Sequence, residues 1–117
     1  RHTAMLCCSF STEDFRVFLA KSLKQDKRSH AIYCDPPFPA GGERYLHAFT
    51  PQDHRDLRDA VAKFTATRVL MRYYDHPRVQ KLYADKDKWR WQPVAGRKST
   101  NDKVGEVLIT NIIEGDT

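Results

Sequence analysis

Residues 33–38 read Tyr-Cys-Asp-Pro-Pro-Phe. Prolines lack an N–H and fix φ, so the segment neither continues a helix nor pairs as a central strand. Asp35, which precedes a proline, is held extended. The result is a stiff corner that offers acceptors, the Asp35 carboxylate and neighbouring carbonyls, beside the flat ring of Phe38. This chemistry suits a planar ligand whose exocyclic amine donates hydrogen bonds, and a nucleobase is such a ligand. A plain Pro-Pro turn with Phe38 packed in the core is the alternative reading of these six residues.

The elements around the corner say where it sits. His30-Ala31-Ile32-Tyr33-Cys34 is short, apolar and preceded by the charged stretch from Lys24 to Arg28, so it reads as a buried strand. In open α/β sheets, ligands bind beyond the carboxyl ends of the strands, and Asp35 to Phe38 lies at such an end. Upstream, Met5 to Phe10 reads as a strand. Ser11 caps a helix with Thr12, Glu13 and Asp14 in its first turn and Phe15, Phe18, Leu19 and Ser22 on one face. Lys21 to Arg28 reads as a solvated exit loop.

Downstream, the non-periodic stretch from Asp35 to Phe49 contains Gly41-Gly42, Arg44 and Tyr45, and a loop this long is more often functional than decorative. Thr50-Pro51-Gln52-Asp53 starts a helix with Leu57, Ala60, Val61 and Phe64 inward. Thr67 to Tyr73 is a strand, and Asp75-His76-Pro77 opens a short helix with Val79, Leu82 and Tyr83 inward. Lys88 to Val94 and Val104 to Asn111, with no helix between them, pair as an antiparallel hairpin. The order is β-α-β-α-β-α-β-β, one α/β layer without internal repeats.

The chain has 117 residues, with 20 Lys and Arg against 15 Asp and Glu. The resulting +5 charge accommodates a polyanionic partner without specifying one. A mean hydropathy of −0.68 and the lack of a long apolar run exclude a transmembrane segment. Cys7, Cys8 and Cys34 match neither a disulfide framework nor a metal site, and read as small buried residues in a reducing cytoplasm. The five histidines have no metal-ligand spacing, and His47 and His54 read as solvated. No metal site is expected. The chain opens at Arg1 and runs almost at once into apolar residues, which reads as a piece of a longer protein.

Four features, in order, resemble the C-terminal half of Dam-type DNA adenine-N6 methyltransferases. They are Cys8 to Phe10, Tyr33 to Phe38, the Tyr-x3-Phe-Thr-x3-His-x2-Leu spacing from Tyr45 to Leu57, and Val104 to Asn111. The resemblance covers most of the chain. It implies a Rossmann-like S-adenosylmethionine-dependent methyltransferase fold, here partial, with a mostly parallel sheet ending in an antiparallel β-hairpin. Residues 1–117 then form the C-terminal part of a catalytic domain, without the glycine-rich cofactor motif or the target-recognition region. That absence implies a piece inactive by itself, and a missing N-terminal half of the same protein as its partner.

The implied chemistry is methyl transfer from S-adenosylmethionine to the N6 amine of adenine in double-stranded DNA. The Asp35 carboxylate and the Pro36 carbonyl accept the two N–H bonds of a flipped-out adenine, and the nitrogen attacks the sulfonium methyl in line, helped by positioning and electrostatics. Phe38, after Pro37, stacks on the base, and stands where many relatives have Tyr. Ser9, Phe10 and Asp35 adjoin the cofactor, and Arg44, Tyr45, Arg97 and Lys98 face nucleic acid.

The same corner serves cytosine N4 or an adenine in RNA; the downstream pattern favours adenine in DNA. Glutamine methylation is disfavoured, because that class generally shows Asn where Asp35 stands. A non-catalytic nucleic-acid-binding relative is the reading from another class. It rests on Arg44, Arg72, Lys88, Arg90, Arg97 and Lys98, interleaved with Trp89 and Trp91. The two tryptophans share a strand face and read more readily as packing, and Arg97 and Lys98 as solvated at a hairpin tip. Glu106, in an apolar strand, is expected to have a structural partner such as an arginine.

Overall fold

Apolar residues at every second position of one strand, Val69, Met71 and Tyr73, require a sheet with one face against a core. A computed structural model of the chain describes residues 4–8, 15–37, 49–94, 105–113, 115 and 116, the first of these by backbone alone. Five strands form one sheet: β1 (Ala4–Cys8), β2 (His30–Cys34), β3 (Arg68–Tyr74), β4 (Trp89–Pro93) and β5 (Glu106–Asn111), in the order β1-β2-β3-β5-β4. Three helices connect them: α1 (Phe15–Leu23), α2 (Pro51–Val61) and α3 (Pro77–Leu82). The element order is the one expected from the sequence.

The sheet is not mostly parallel. β1 with β2 and β2 with β3 run parallel, whereas β3 with β5 and β4 with β5 run antiparallel. Among the four strands whose side chains are described, antiparallel pairing predominates. The reason is connectivity: the two helical crossovers demand parallel neighbours, and once β5 returns directly beside β3 the remaining pairs must be antiparallel. The chain is thus a small α/β domain with a mixed sheet.

All three helices cover the same face. Phe15, Leu19, Leu57, Val61 and Val79 join one core with Ile32, Val69, Met71, Tyr73, Val107 and Ile109. An aromatic relay crosses this core. Phe15 meets Phe49 (5.3 Å), Phe49 meets His54 edge-on (4.6 Å), His54 meets Tyr73 (5.5 Å), Tyr73 meets Tyr83 (5.6 Å), and Tyr83 meets Trp89 edge-on (4.8 Å). Such pairs contribute about 0.5–1.5 kcal/mol each beyond their buried area. Trp89 is a core residue, and half-buried Trp91 donates its indole N–H to the Tyr83 carbonyl at 3.0 Å. Both tryptophans are packing residues, as their spacing implied.

The start of α2 forms as expected, with a reciprocal cap. Asp53 N–H donates to Thr50 Oγ1 (3.2 Å) and Thr50 N–H to Asp53 Oδ2 (2.7 Å), with Pro51 at the first helical position. Arg16 of α1 reaches both Asp53 and Asp56 of α2 at 2.6 Å, which joins the two helices along their solvent side. Inside, Asn111 ties β5 to β3 twice: Val69 N–H donates to its Oδ1 (2.8 Å), and its Nδ2 donates to the Thr67 carbonyl (2.9 Å).

The Lys21 to Arg28 stretch is only partly the solvated loop it resembles. Lys21 to Leu23 close α1, and Asp26 turns back to accept hydrogen bonds from the N–H groups of Thr65 (2.9 Å), Ala66 (3.1 Å) and Thr67 (2.7 Å). This clasp joins the two loops that enter β2 and β3. Burial works against the charge of Asp26, but the Thr65, Thr67 and Ala66 bonds outweigh it and hold its pKa at about 2 instead of 3.8. A carboxylate depressed in this way stabilises the fold fully above the unfolded value of 3.8 and loses that contribution as pH falls through about 2. Asp26→Ala is therefore expected to destabilise the protein by about 1–2 kcal/mol at neutral pH, after allowance for solvent screening. In urea unfolding the deficit should shrink as pH falls from 3.8 towards 2; a deficit independent of pH would overturn this account.

Candidate active site

β2 ends at Cys34, and the chain continues in extended form through Asp35, Pro36 and Pro37 without joining the sheet. Pro36 is buried, and Asp35 and Pro37 are exposed on either side of it. Asp35 therefore stands in solvent at the carboxyl end of a parallel strand, fixed by the proline packed beneath it. Among the described residues its carboxylate makes no ion pair. It lines a concavity of about 180 Å³ together with Pro36, Arg72, Tyr73, Tyr74 and Glu106.

The cation nearest in register does not neutralise it. Cys34 pairs with Met71, so Asp35 comes level with Arg72 on the next strand. The Arg72 guanidinium turns instead to Glu106, donating from Nε at 2.9 Å and from its terminal nitrogen at 2.8 Å. The Tyr33 hydroxyl, the larger influence, and Glu106 together raise the pKa of Arg72. Glu106 thus has the arginine partner its apolar strand required. The pair leaves Asp35 available to a neutral N–H donor. If the corner carries a reaction, Glu106→Gln is expected to release Arg72 towards Asp35 and to reduce the rate a few-fold, on the order of the 0.2–1 kcal/mol carried by exposed ion pairs. Adding Arg72→Gln should restore the rate, and a double variant no faster than Glu106→Gln would refute the competition.

His54 is not solvated. It is 1% exposed and sits under the corner, with Nδ1 hydrogen-bonded to the Tyr73 hydroxyl at 2.8 Å. It packs against the Phe49 ring edge-on and lies near the backbone carbonyl of Pro37. Burial lowers the His54 pKa to about 4, against the opposing influence of the Pro37 carbonyl and the Asp53 charge. One signal was available in the sequence: His54 precedes Leu57 by three residues and Val61 by seven, on the stripe of α2 that enters the core. No comparable signal marks Tyr73 as its partner, because the two meet only once α2 lies across β3.

Cys8 pairs with Cys34, so β1 ends at the same edge of the sheet from which Asp35 leaves β2. Segment 38–48 is bounded by Pro37 and by Phe49, which packs against His54. Segment 95–104 is bounded by Val94, whose N–H donates to the Glu106 carbonyl (3.0 Å), and by Gly105, whose carbonyl accepts from Asp75 N–H (2.8 Å). Asp35, Pro36 and Pro37 lie at this edge. Ser9, Phe10, Phe38, Arg44, Tyr45, Arg97 and Lys98 lie outside the described residues, as does His47.

No protein-family model matches the chain, and no curated protein matches it. The residues themselves must carry the functional argument. A concavity of about 180 Å³ is smaller than the roughly 300 Å³ at which small-molecule sites begin. That volume is too small for a whole nucleoside cofactor. The residues expected beside a cofactor, Ser9 and Phe10, lie outside the described residues. Among the described residues no three His, Cys, Asp or Glu side chains are grouped to hold a metal ion, and no helix is long and apolar enough to cross a membrane.

Proposed function

We propose that the chain is the C-terminal part of the catalytic domain of an S-adenosylmethionine-dependent DNA methyltransferase acting on the N6 amine of adenine. In this reading its α/β layer is part of a Rossmann-like methyltransferase sheet, completed by a preceding segment of the same protein that brings the glycine-rich cofactor motif, and the buried thiol of Cys34 fits a reducing cytoplasm. The observation that carries the proposal is the Asp35 corner: an exposed carboxylate, held extended above a buried proline at the carboxyl end of a parallel strand, beside an arginine already matched by Glu106.

The lone pair of an adenine amine is delocalised into the ring, so the nitrogen is a poor nucleophile until both N–H bonds are directed to acceptors. Asp35 supplies one acceptor and the Pro36 carbonyl the other, which favours a pyramidal nitrogen with its lone pair exposed. Bound S-adenosylmethionine supplies the electrophilic methyl group. The chain's own contribution is orientation and charge: as the new N–C bond forms and the methyl–sulfur bond breaks, Asp35 stabilises the positive charge that develops on the attacking amine, whose surplus proton then leaves to solvent. His54, buried against Phe49 and Tyr73 near the Pro37 carbonyl, acts as a positioning residue for the corner. An adenine reaches an acceptor pair at the sheet edge only after leaving the duplex; stacking on Phe38 would hold it there.

The test is transfer of labelled methyl from S-adenosylmethionine to unmethylated duplex DNA by the longest natural chain carrying these residues, followed by digestion to nucleosides. Label in N6-methyladenine is the expected result. Label in N4-methylcytosine, or only with an RNA substrate, would keep the corner's role and replace the acceptor. DNA binding without any transfer would overturn the enzymatic reading.

A further inference from the structure

The helices α2 and α3 form a second feature, whose cations have no part in the chemistry above. Pro51, His54, Arg55 and Arg58 on α2 fall at i, i+3, i+4 and i+7, and Arg78, Lys81 and Leu82 on α3 fall at i, i+3 and i+4. Each set is one stripe of its helix. The two stripes face each other across a groove of about 360 Å³, lined by these seven residues. Four of the seven are cations, two from each helix.

Among the described residues, Asp59 is the one acid paired with a groove cation, Arg58. Asp53 and Asp56 lie on the other side of α2 and are bound by Arg16. Asp75 accepts from the Gln80 amide. Arg55 donates only to a neutral group, the Gln52 side-chain carbonyl (2.7 Å). Among the described residues Arg55, Arg78 and Lys81 have no carboxylate partner. Cations collected on one surface in this way repel one another unless a polyanion lies over them.

His54 connects this groove to the corner: its ring lines the groove and lies near the Pro37 carbonyl. Both helices also begin at the sheet edge where Asp35 stands, since α2 follows the connection from β2 and α3 follows β3. A strand that delivers a base to Asp35 must run its phosphates over the adjoining surface. We infer that the α2–α3 groove binds the sugar–phosphate backbone of the duplex flanking the base held at the corner, with Arg55, Arg58, Arg78 and Lys81 as its phosphate contacts. The choice of DNA as the polyanion rests on the proposed function; the groove's affinity for phosphate backbone does not.

Counterion release makes this measurable. Each phosphate contact contributes about 0.9 to the slope of log affinity against log salt. Binding of a short fluorescein-labelled duplex is followed by anisotropy across a potassium chloride series, for the wild type, Arg55→Gln/Arg58→Gln and Arg78→Gln/Lys81→Gln. Lys21→Gln/Lys24→Gln, at the far end of α1, removes the same charge elsewhere. Each groove pair is expected to weaken binding and to lower the slope by about 2, as removal of two contacts requires, while the α1 pair leaves the slope unchanged. Unaltered slopes in both groove pairs would overturn the inference, and so would an equal fall in the α1 pair, which would mean that only net charge is sensed. In the transfer assay the groove pairs should raise KM for DNA with little change in kcat. Groove-dependent binding by a wild type that transfers no methyl group would support the groove and overturn the methyl-transfer reading alone.

Discussion

Asp35→Ala is expected to reduce methyl transfer to DNA by about 100- to 1,000-fold, the scale on which removal of one preorganised electrostatic partner acts. The side chain is exposed and makes no ion pair among the described residues, so its loss should leave the fold and its stability close to wild type. This separates a chemical effect from an unfolding one. Asp35→Asn is the sharper variant: it keeps one carbonyl acceptor but lacks the negative charge that balances the developing cation on the amine. Its rate should fall between those of the wild type and the alanine variant. Incorporation of labelled methyl at saturating DNA measures all three proteins, and urea unfolding measured alongside checks that they are equally folded. Transfer by Asp35→Ala within a few-fold of wild type would remove the carboxylate from the mechanism.

The largest expected pH effect on stability belongs to His54. Its pKa is about 4 in the fold, against 6.5 for an unperturbed imidazole, because burial penalises the charged ring more than the Pro37 carbonyl and the Asp53 charge favour it. The fold therefore holds His54 neutral. A neutral ring can accept from the Tyr73 hydroxyl through Nδ1, and protonation removes that acceptor. Stability is complete above pH 6.5 and declines as pH falls towards 4, since over this window the unfolded chain binds a proton that the fold refuses. By pH 4.5 the loss should reach about 2–3 kcal/mol.

His54→Gln keeps a hydrogen-bonding side chain that does not titrate. It should be less stable than wild type at pH 7 and should lack most of the decline. Urea midpoints at pH 7 and pH 4.5 for both proteins measure this. An equal decline in the two would assign the acid sensitivity to other groups. The Asp26 clasp acts at lower pH, between 3.8 and about 2, and does not overlap with this window.

The order of elements was legible because each carries its own local signal. Val69, Met71 and Tyr73 alternate, Thr50, Pro51 and Asp53 announce a helix start, and residues 89–111 contain no helical period, so their two strands had to meet antiparallel. The parallel or antiparallel balance of the sheet was less legible. It depends on β5 returning beside β3 instead of adding at an edge, and no local pattern encodes that choice.

At the candidate site, the corner was readable because proline acts on its own residue and its neighbour. The contacts that hold the surrounding fold were not. Asp26 looked like one more surface charge among Lys24, Lys27 and Arg28, and only the approach of the Thr65–Thr67 backbone across some forty residues of chain distinguishes it. His54 looked polar by type, although its helical position placed it inward. Glu106 was legible as a residue in need of a partner, but Arg72 became that partner only through the pairing of Tyr74 with Glu106, which sets β5 against β3.

The Asp26 clasp has one further consequence. It holds the end of β2 that the chain enters, and Asp35 occupies the end that it leaves, five residues later. At about 3.3 Å per residue the two are roughly 16 Å apart, beyond the 7–10 Å within which substitutions usually influence one another. Changes that tighten or loosen the clasp should therefore add to changes at the corner without altering their effect. Destabilising substitutions at the corner can be offset at the opposite edge of the sheet, because the two places act independently.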